Sequence, residues 1–397
     1  MKIALIGPGI MPIPPTGWGG VEHLIWNYNN QLKKIGDEVV IINTKDLHEV
    51  VRIVNSGNFD AVHLHYDHYS TVMPHLNCKK KMVTSHYPYL ENPEPQYVFL
   101  YDLLKNSQSH IVSLSDRIKK EFVRRGIDST NVSVLPCAID TDAYTIDDEA
   151  LHPDRSVVVG KLEPRKRQAF LQKKGLNIDF IGNNADPSFD TTDPCYFGEQ
   201  SKQDIMENLT VYANMILLSS GEAHPFVCLE GMAAGLGLVL SEQSTANLDL
   251  SQPFITVIPD KKLEDTEYLK NKIEENRKIS LSMRKRIRKY CKDNFQNSSD
   301  VFVKLLEYKK ILLDANQHMN LIGKSTIEDF DQRHFLDCIQ IHEYMNEKNN
   351  LTIDLGTGAG LPGVLLSIIG YKNLHLVEKS KKKSAFLESC KLRLGLD

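Results

Sequence analysis

Two glutamates, Glu222 and Glu230, frame the predicted start of a helix with seven residues between them. The apolar run Met215–Leu218 before them predicts a buried strand, which a serine and glycine break ends. Pro225 suits the first helical position, and Gly235 suits the residue just past the helix end. A helix N-terminus attracts anions, and carboxylates beside it accept hydrogen bonds from sugar hydroxyls. Phosphate and polyol binding together predict a site for a nucleotide-sugar.

A second stretch that could do chemistry is the glycine loop 356–363, which follows an apolar strand pattern at 351–355. Its part Gly358–Gly363 has the spacing G-x-G-x-x-G, and the acid Glu378 follows at about 20 residues, as a nucleoside site requires. This spacing fits either a dinucleotide or S-adenosylmethionine. Asp354, just before the loop, favours the methyl donor because its carboxylate could reach the amino group of that ligand.

Four polar residues at the end of another predicted strand look like metal ligands: His63, His65, Asp67 and His68. Alternation along a strand would put His63 and His65 on one face. We interpret the group as the polar end of a strand that faces a cleft, and we predict no metal. The seven cysteines are scattered without a Cys-x-x-Cys pair, so they indicate reduced thiols and neither a metal site nor a disulfide framework.

The bulk composition is that of an ordinary globular protein of 397 residues. A formal net charge of −4 argues against a surface built as a whole for nucleic acid. No apolar run approaches the roughly 20 residues that span a bilayer, and the N-terminus lacks the pattern of a signal peptide. We therefore predict a cytoplasmic protein with at most peripheral membrane contact.

Short apolar strands alternate with helical stretches along most of the chain, which predicts an α/β protein with parallel sheets. Two such alternations, divided near residue 150, indicate two Rossmann-like lobes with the ligand cleft between them. A third alternation has only two strands, 351–355 and 374–377, which are too few for a doubly wound sheet. The predicted domains are residues 1–150, 151–285 and 286–397, and the junction of the last two is open between about Lys270 and Asn316, because Arg284–Leu312 fits the helices of either domain.

The first two alternations carry four motifs in an order that resembles the retaining GT-B glycosyltransferases. These motifs are Gly17-Trp-Gly-Gly-Val-Glu22, Thr84-Ser-His86, Gly160-Lys-Leu-Glu-Pro-Arg-Lys166 and Glu222-x7-Glu230. The resemblance implies a GT-B fold of two Rossmann-like lobes. It also implies transfer of a sugar from a nucleotide-diphosphate-sugar to a hydroxyl acceptor, without a metal or a cofactor.

The resemblance also implies roles for individual residues. The catalytic set is His86, Glu222, Lys161 and Lys166, and the donor-binding set is Gly19, Gly20, Arg165 and Glu230. Glu230 would hold the ribose, Glu222 and His86 would face the transferred sugar, and the two lysines would neutralise the leaving diphosphate. Lys161 stands where the family usually has arginine, so it lacks the planar fork that matches phosphate, and Arg165 could compensate. The acceptor, a glycan, a lipid or a small molecule, would contact loops around Trp18 and Tyr87–Tyr97.

The third alternation resembles the start of the small-subunit ribosomal RNA guanine-N7 methyltransferases. The matching stretches are Met319-Asn-Leu-Ile, Arg333-His-Phe-Leu-Asp337, Asp354-Leu-Gly-Thr-Gly-Ala-Gly-Leu-Pro-Gly363 and Val377-Glu-Lys-Ser-Lys-Lys-Lys-Ser-Ala-Phe-Leu387. The resemblance implies an incomplete S-adenosylmethionine site made of Asp354, Gly356, Gly358, Gly360 and Glu378. It covers only the first half of that family, so we expect no methyl transfer by this segment alone. An rRNA partner would require the complete domain.

Three hypotheses follow for the whole chain. The primary one is a retaining glycosyltransferase with a partial, inactive methyltransferase segment. The rival is a 16S rRNA methyltransferase fragment to which a glycosyltransferase-like region has been joined by fusion or misassembly. The third is a GT-B-like binding module that has lost turnover.

Overall fold

The computed structural model describes residues 1–15, 17, 19–86, 97–296, 299–345 and 350–396. The chain forms two compact units, Met1–Asn297 and Ser298–Asp397. The first unit contains two parallel sheets, which we call the first and the second lobe, and the second unit contains a two-stranded sheet.

The first lobe is a six-stranded parallel sheet in the order β2-β1-β3-β4-β5-β6. Its strands are β1 (Lys2–Gly7), β2 (Glu38–Asn43), β3 (Ala61–Leu64), β4 (Lys80–Ser85), β5 (His110–Ser113) and β6 (Val132–Val134). Its helices are α1 (Gly20–Lys34), α2 (Leu47–Ser56), α3 (Phe99–Asn106) and α4 (Asp116–Arg124). The central strands are buried on both faces, as expected when helices cover a parallel sheet.

The second lobe is a five-stranded parallel sheet in the order β11-β10-β9-β7-β8. Its strands are β7 (His152–Val159), β8 (Ile178–Ile181), β9 (Tyr212–Leu217), β10 (Gly237–Ser241) and β11 (Ile255–Ile258). Its helices are α5 (Gln168–Gln172), α6 (Lys202–Asn208), α7 (Phe226–Ala233) and α8 (Thr266–Phe295). Strand β11 lies outside the strands that the sequence pattern predicts.

Helix α8 carries the first unit past residue 285, and the unit ends within the range of about 270–316 predicted for the junction. The helix runs without a break to Phe295, whose carbonyl oxygen accepts a hydrogen bond from the N–H of Ile139 at 2.8 Å. Ile287 and Cys291 are fully buried in the core of the second lobe. Arg288 donates to the carbonyl oxygen of Ala233 at 2.9 Å, at the C-terminal end of α7. Residues 286–295 therefore belong to the second lobe.

The second unit packs helices on one face of two parallel strands, β12 (Thr352–Leu355) and β13 (Leu374–Val377). Its helices are α9 (Ser299–Asn316), α10 (Asp337–Ile339), α11 (Gly363–Ile368) and α12 (Lys381–Leu394). The side chains of the opposite face are exposed: Ile353 by 54%, Leu355 by 78% and Val377 by 48%. Parallel sheets are normally covered on both faces, but the described residues of this unit place no layer on this apolar face.

No helix within the described residues is long and apolar enough to cross a membrane.

Shortening the chain tests the boundary of the first unit. We expect a chain that ends after Lys285 to lose about 4 kcal/mol or more of unfolding free energy, because it lacks the buried Ile287 and Cys291 side chains. A chain that ends after Asn297 keeps them and is the matched control. Urea unfolding followed by tryptophan fluorescence measures this, since both tryptophans lie in the first unit. Equal stability of the two shortened chains would contradict the boundary at Asn297.

Candidate active site

The predicted site residues lie at the carboxyl ends of four parallel strands. The glycine loop follows β1, and His86 follows β4 directly. Lys161, Arg165 and Lys166 follow β7, and Glu222 follows β9. The strand order reverses between β1 and β3 and again between β7 and β9, and such switch points are where ligands bind open α/β sheets.

The two lobes meet at the glycine loop. A Cβ atom added to Gly17 would lie 2.5 Å from Oε1 of Glu199, which belongs to the second lobe. Gly19 has a φ of 125°, and a Cβ there would lie 2.7 Å from Oε2 of the buried Glu22. Only glycine fits position 19 without strain. At Gly20 an added Cβ would have no atom within 4 Å, so that position has room for a side chain. Trp18 and residues 87–96, where acceptor contacts are predicted, lie outside the described residues.

The turn from β9 to α7 has the predicted strand, break and helix. Pro225 immediately precedes helix α7, so the helix begins one residue later than predicted. Gly235 has a φ of 81° just past the helix end, as predicted. A Cβ on Gly231 would lie 3.0 Å from Sδ of Met215, so the helix packs directly on the strand. The close packing fixes the helix N-terminus at the end of β9.

Arg165 binds the β9–α7 turn with its guanidinium. It donates to Oε1 of Glu222 at 3.2 Å, to Oγ of Ser219 at 2.9 Å, and also to the carbonyl oxygen of Gly221. These three bonds come from Nη1, and Nη2 of the same guanidinium donates to Oε1 of Glu163 at 2.8 Å. The predicted role of Arg165 in donor binding stays a prediction. In this structure its fork is occupied by protein groups, and it holds Glu222 in place.

Lys166 lies beside Gly160, the residue that follows β7. A Cβ on Gly160 would lie 3.1 Å from Nζ of Lys166. Burial raises the pKa of the Cys228 thiol in α7, the charges of Glu222 and Glu230 raise it further, and the charge of Lys166 lowers it. The charges of Glu222, Glu230 and Lys166 therefore all act on one residue of α7.

Glu230 lies inside the second lobe with partners that the sequence does not single out. Its Oε1 accepts a hydrogen bond from the hydroxyl of Tyr144 at 3.0 Å and contacts Nζ of Lys202. Nζ of Lys202 also donates to the Tyr144 hydroxyl at 2.8 Å. Sequence reasoning missed Lys202 because a lysine in the first turn of a short helix has no pattern that indicates a site.

The histidines of the first lobe contact one another. His63 Nε2 lies 2.6 Å from Oγ1 of Thr84, and His65 Nδ1 lies 3.4 Å from Nε2 of His86. Burial lowers the pKa of His63 to about 3 and that of His86 to about 4, so these rings are neutral at pH 7. Within the described ranges, no three side chains of the types that bind metals are grouped so that they could hold an ion.

The glycine loop of the second unit is held by the predicted acids. Glu378 accepts hydrogen bonds from the N–H groups of Gly358 at 3.0 Å and Ser380 at 2.8 Å, and the bond from Ser380 is the main cause of its lowered pKa. Asp354 Oδ2 accepts from the N–H of Gly363 at 3.0 Å. The glycines at 356, 358 and 360 all have positive φ. A glycine loop with an acid before it and another acid after it fits a nucleoside-containing ligand such as S-adenosylmethionine.

Acid should weaken the first unit through its buried histidines. Burial lowers the pKa of His224 to about 4, and Nδ1 of this ring accepts the N–H of Cys137 at 2.8 Å. In the unfolded chain this histidine has its ordinary pKa of about 6.5. As the pH falls from 6.5 towards 4, the unfolded state therefore binds a proton that the folded state does not, and the free energy of unfolding decreases. We expect each such histidine to remove about 2 kcal/mol of unfolding free energy between pH 7 and pH 5.

The variant His224→Gln keeps an acceptor for Cys137 but removes the titrating group. Tryptophan-detected urea unfolding at pH 7 and pH 5 should show an acid loss that is smaller by about 2 kcal/mol than in the wild type. His75→Gln, at an exposed position, is the matched control. An unchanged acid loss in the His224 variant would contradict this assignment.

Two protein families match parts of the chain. Residues 43–143 match the family described as Glycosyltransferase Family 4, and residues 302–397 match the family described as rRNA small subunit methyltransferase G, or GidB. Both parts of the chain therefore match families of transferases.

Solved structures of glycosyltransferases share the fold of the first unit. AviGT4, involved in avilamycin A biosynthesis, has a TM-score of 0.54 at 16% identity, over 77% of this chain and 97% of its own. Sucrose-phosphate synthase from Thermosynechococcus elongatus has a TM-score of 0.61 at 13% identity, over 75% of this chain and 95% of its own. HepE of Anabaena, in complex with UDP-glucose, has a TM-score of 0.57 at 14% identity, over 77% and 98%. These likenesses confirm the predicted GT-B fold.

Curated relatives match only the C-terminal part of the chain. The ribosomal RNA small subunit methyltransferase G of Orientia tsutsugamushi (strain Boryong) is 44% identical over 94 residues, which are 24% of this chain and 48% of the relative. The methyltransferase G of Rhodospirillum centenum is 38% identical over 93 residues, which are 23% of this chain and 43% of the relative. The chain spans about half the length of the curated relatives it matches. The chain is thus similar to Glycosyltransferase Family 4 in one part, within a GT-B fold, and to the GidB-type rRNA small subunit methyltransferases in another.

Proposed function

We propose that the first unit is a retaining glycosyltransferase that moves a sugar from a nucleotide-diphosphate-sugar to a hydroxyl acceptor. The family match and the GT-B fold support this function. The HepE structures, which hold UDP and UDP-glucose, support a nucleotide-sugar as the donor.

The observation that carries the proposal is that Glu222 precedes helix α7, Glu230 lies within it, and the charges of both carboxylates and of Lys166 act on Cys228 of the same helix. A helix N-terminus and a lysine together attract a diphosphate, and carboxylates on either side accept sugar and ribose hydroxyls. Within the described residues, the ammonium of Lys166 has neither an ion pair nor a hydrogen bond, so its charge is available to a ligand. A surface pair of carboxylates with no cation nearby would not support this function.

The reaction needs charge stabilisation more than proton transfer. As the bond from the sugar to the diphosphate breaks, negative charge grows on the leaving group, and Lys166 and Lys161 would stabilise it. Glu222 and His86 would hydrogen-bond the sugar, and Glu230 would fix the ribose. Gly19 and Gly20 would let backbone approach the donor, and Arg165 would act by holding Glu222. These cationic groups would do the work for which other transferases use a metal ion.

The acceptor class stays open among a glycan, a lipid and a small molecule. We place the reaction in the cytoplasm, a location supported by seven free cysteines with no disulfide among them.

Donor binding is tested by a thermal-shift panel of UDP-, GDP- and ADP-sugars on the full chain. A ligand at about 100 times its Kd stabilises the folded state by about 2.7 kcal/mol, so one nucleotide class should raise the Tm clearly. Absence of a shift with all three classes would contradict the proposed function.

Donor hydrolysis then tests the individual roles. We expect Lys166→Met and Glu222→Gln each to lower turnover by about 10²-fold, because each removes a group that acts on the reacting bond. Lys173→Met, at an exposed position of the second lobe, is the matched control and should keep wild-type turnover. Unchanged turnover in both site variants would reject this assignment of the site.

For the second unit we propose a partial S-adenosylmethionine site without methyl transfer. Glu378 would take the ribose hydroxyls of this ligand, Asp354 would take its amino group, and the ligand would supply the methyl group. The uncovered apolar face of β12 and β13 supports an incomplete domain. The full chain, incubated with tritiated S-adenosylmethionine and small ribosomal subunits, should transfer no label to rRNA. Labelled rRNA would contradict this proposal.

A further inference from the structure

The ammonium of Lys202 covers the buried carboxylate of Glu230. With Tyr144 these residues form a set that we call the Lys202 triad, in which each side chain contacts the other two. The side chain of Glu230 is 10% exposed and that of Lys202 is 32% exposed. A ligand that reaches this carboxylate from solvent therefore meets Lys202 as well.

Aromatic rings fix the position of the ammonium. Nζ of Lys202 lies 5.4 Å from the ring centre of Tyr144 and 5.2 Å from that of Phe226, the first residue of α7. Both distances allow cation–π attraction. The lysine is thus held on the same helix start that carries the predicted diphosphate site.

The charge of the Lys202 triad selects a neutral ligand group. The ammonium and the carboxylate cancel, and the Tyr144 hydroxyl stays neutral because burial, and then Glu230, raise its pKa. A phosphate here would meet an ammonium whose charge the Glu230 carboxylate already neutralises. Hydroxyl and carbonyl groups are suited instead, because an ammonium has three N–H donors, of which the triad uses two, and a carboxylate has a second oxygen. Ribose hydroxyls and base carbonyls are the neutral polar groups of a nucleotide-sugar.

We propose that Lys202 is a nucleoside-binding residue of the donor site. It positions the Glu230 carboxylate for the ribose hydroxyls and donates its remaining N–H to an oxygen of the nucleoside. This inference rests on the proposed function. Two lysines would then bind different parts of the nucleotide-sugar. Lys166 takes the charged diphosphate, and Lys202 takes the uncharged nucleoside.

The test compares three probes on the full chain by competition in equilibrium dialysis. They are whichever of UDP, GDP and ADP binds the wild type, its nucleoside (uridine, guanosine or adenosine), and inorganic diphosphate. We expect Lys202→Met to weaken the nucleoside and the nucleotide by about tenfold or more, and to leave inorganic diphosphate unchanged. Lys202→Arg, which keeps the charge, should retain most of the nucleoside affinity. Lys166→Met should show the reverse pattern, with diphosphate weakened and nucleoside unchanged.

Removing the lysine leaves a buried carboxylate without its cation, so the double variant Lys202→Met/Glu230→Gln is measured as well. It should bind diphosphate like the wild type and the nucleoside about tenfold or more weakly. Wild-type nucleoside affinity in Lys202→Met overturns the inference, as does an equal loss for all three probes, which would indicate a purely structural lysine. If none of the three nucleotides binds the wild type, the proposed function falls together with the inference.

Discussion

Two pairings between a cation and a carboxylate hold the turn between β9 and α7. Arg165 binds Glu222 and the backbone of the turn, and Lys202 binds Glu230 inside the lobe. A carboxylate that leaves water needs a partner and hydrogen bonds, since an unpaired buried charge costs several kcal/mol. The protein therefore needs both cations to keep the two carboxylates beside the helix N-terminus. This constraint links the loop after β7, the start of α6 and helix α7 into one wall of the cleft.

Helix α8 holds the same sheet at the edge opposite to that wall. Ser280 accepts the N–H of Gly237 at 2.7 Å, and Arg284 is 3% exposed and donates to the carbonyl oxygen of Tyr212 at 3.0 Å. The first residues of β9 and β10 are thus bonded to one long helix. The second unit is built on a separate core around Tyr308, Leu365 and Cys390. Its open apolar face fits a segment that matches about half of its relatives' length.

Much of the fold could be predicted because parallel strands leave a local signal. The apolar runs at 3–6 and 215–218 lie inside β1 and β9, and Gly235 has the backbone conformation that its position after a helix indicates. Strand β11 was missed because its four residues lie close to prolines and only two of them are buried. The end of the second lobe could be predicted only to between about Lys270 and Asn316, because a basic run is typical of an exposed helix face. Here Arg284 is buried and bonds to carbonyl oxygens, which no local pattern indicates.

The candidate site was predicted in its parts but not in its pairings. Four motifs indicated Glu222, Glu230 and the lysines because each has a fixed spacing along the chain. The partners Tyr144 and Lys202 stand 86 and 28 residues from Glu230, so only the folded chain brings them to it. For the same reason the sequence could not tell that Arg165 binds protein carboxylates in this structure rather than standing open to phosphate.

A crystal structure of the full chain with a bound nucleoside diphosphate tests the central claim most directly. The account predicts the diphosphate at the N-terminus of α7 within hydrogen-bond distance of Nζ of Lys166, and the ribose hydroxyls on Glu230. A nucleotide bound elsewhere in the first unit, or one that lies at α7 with its ribose away from Glu230, would contradict it.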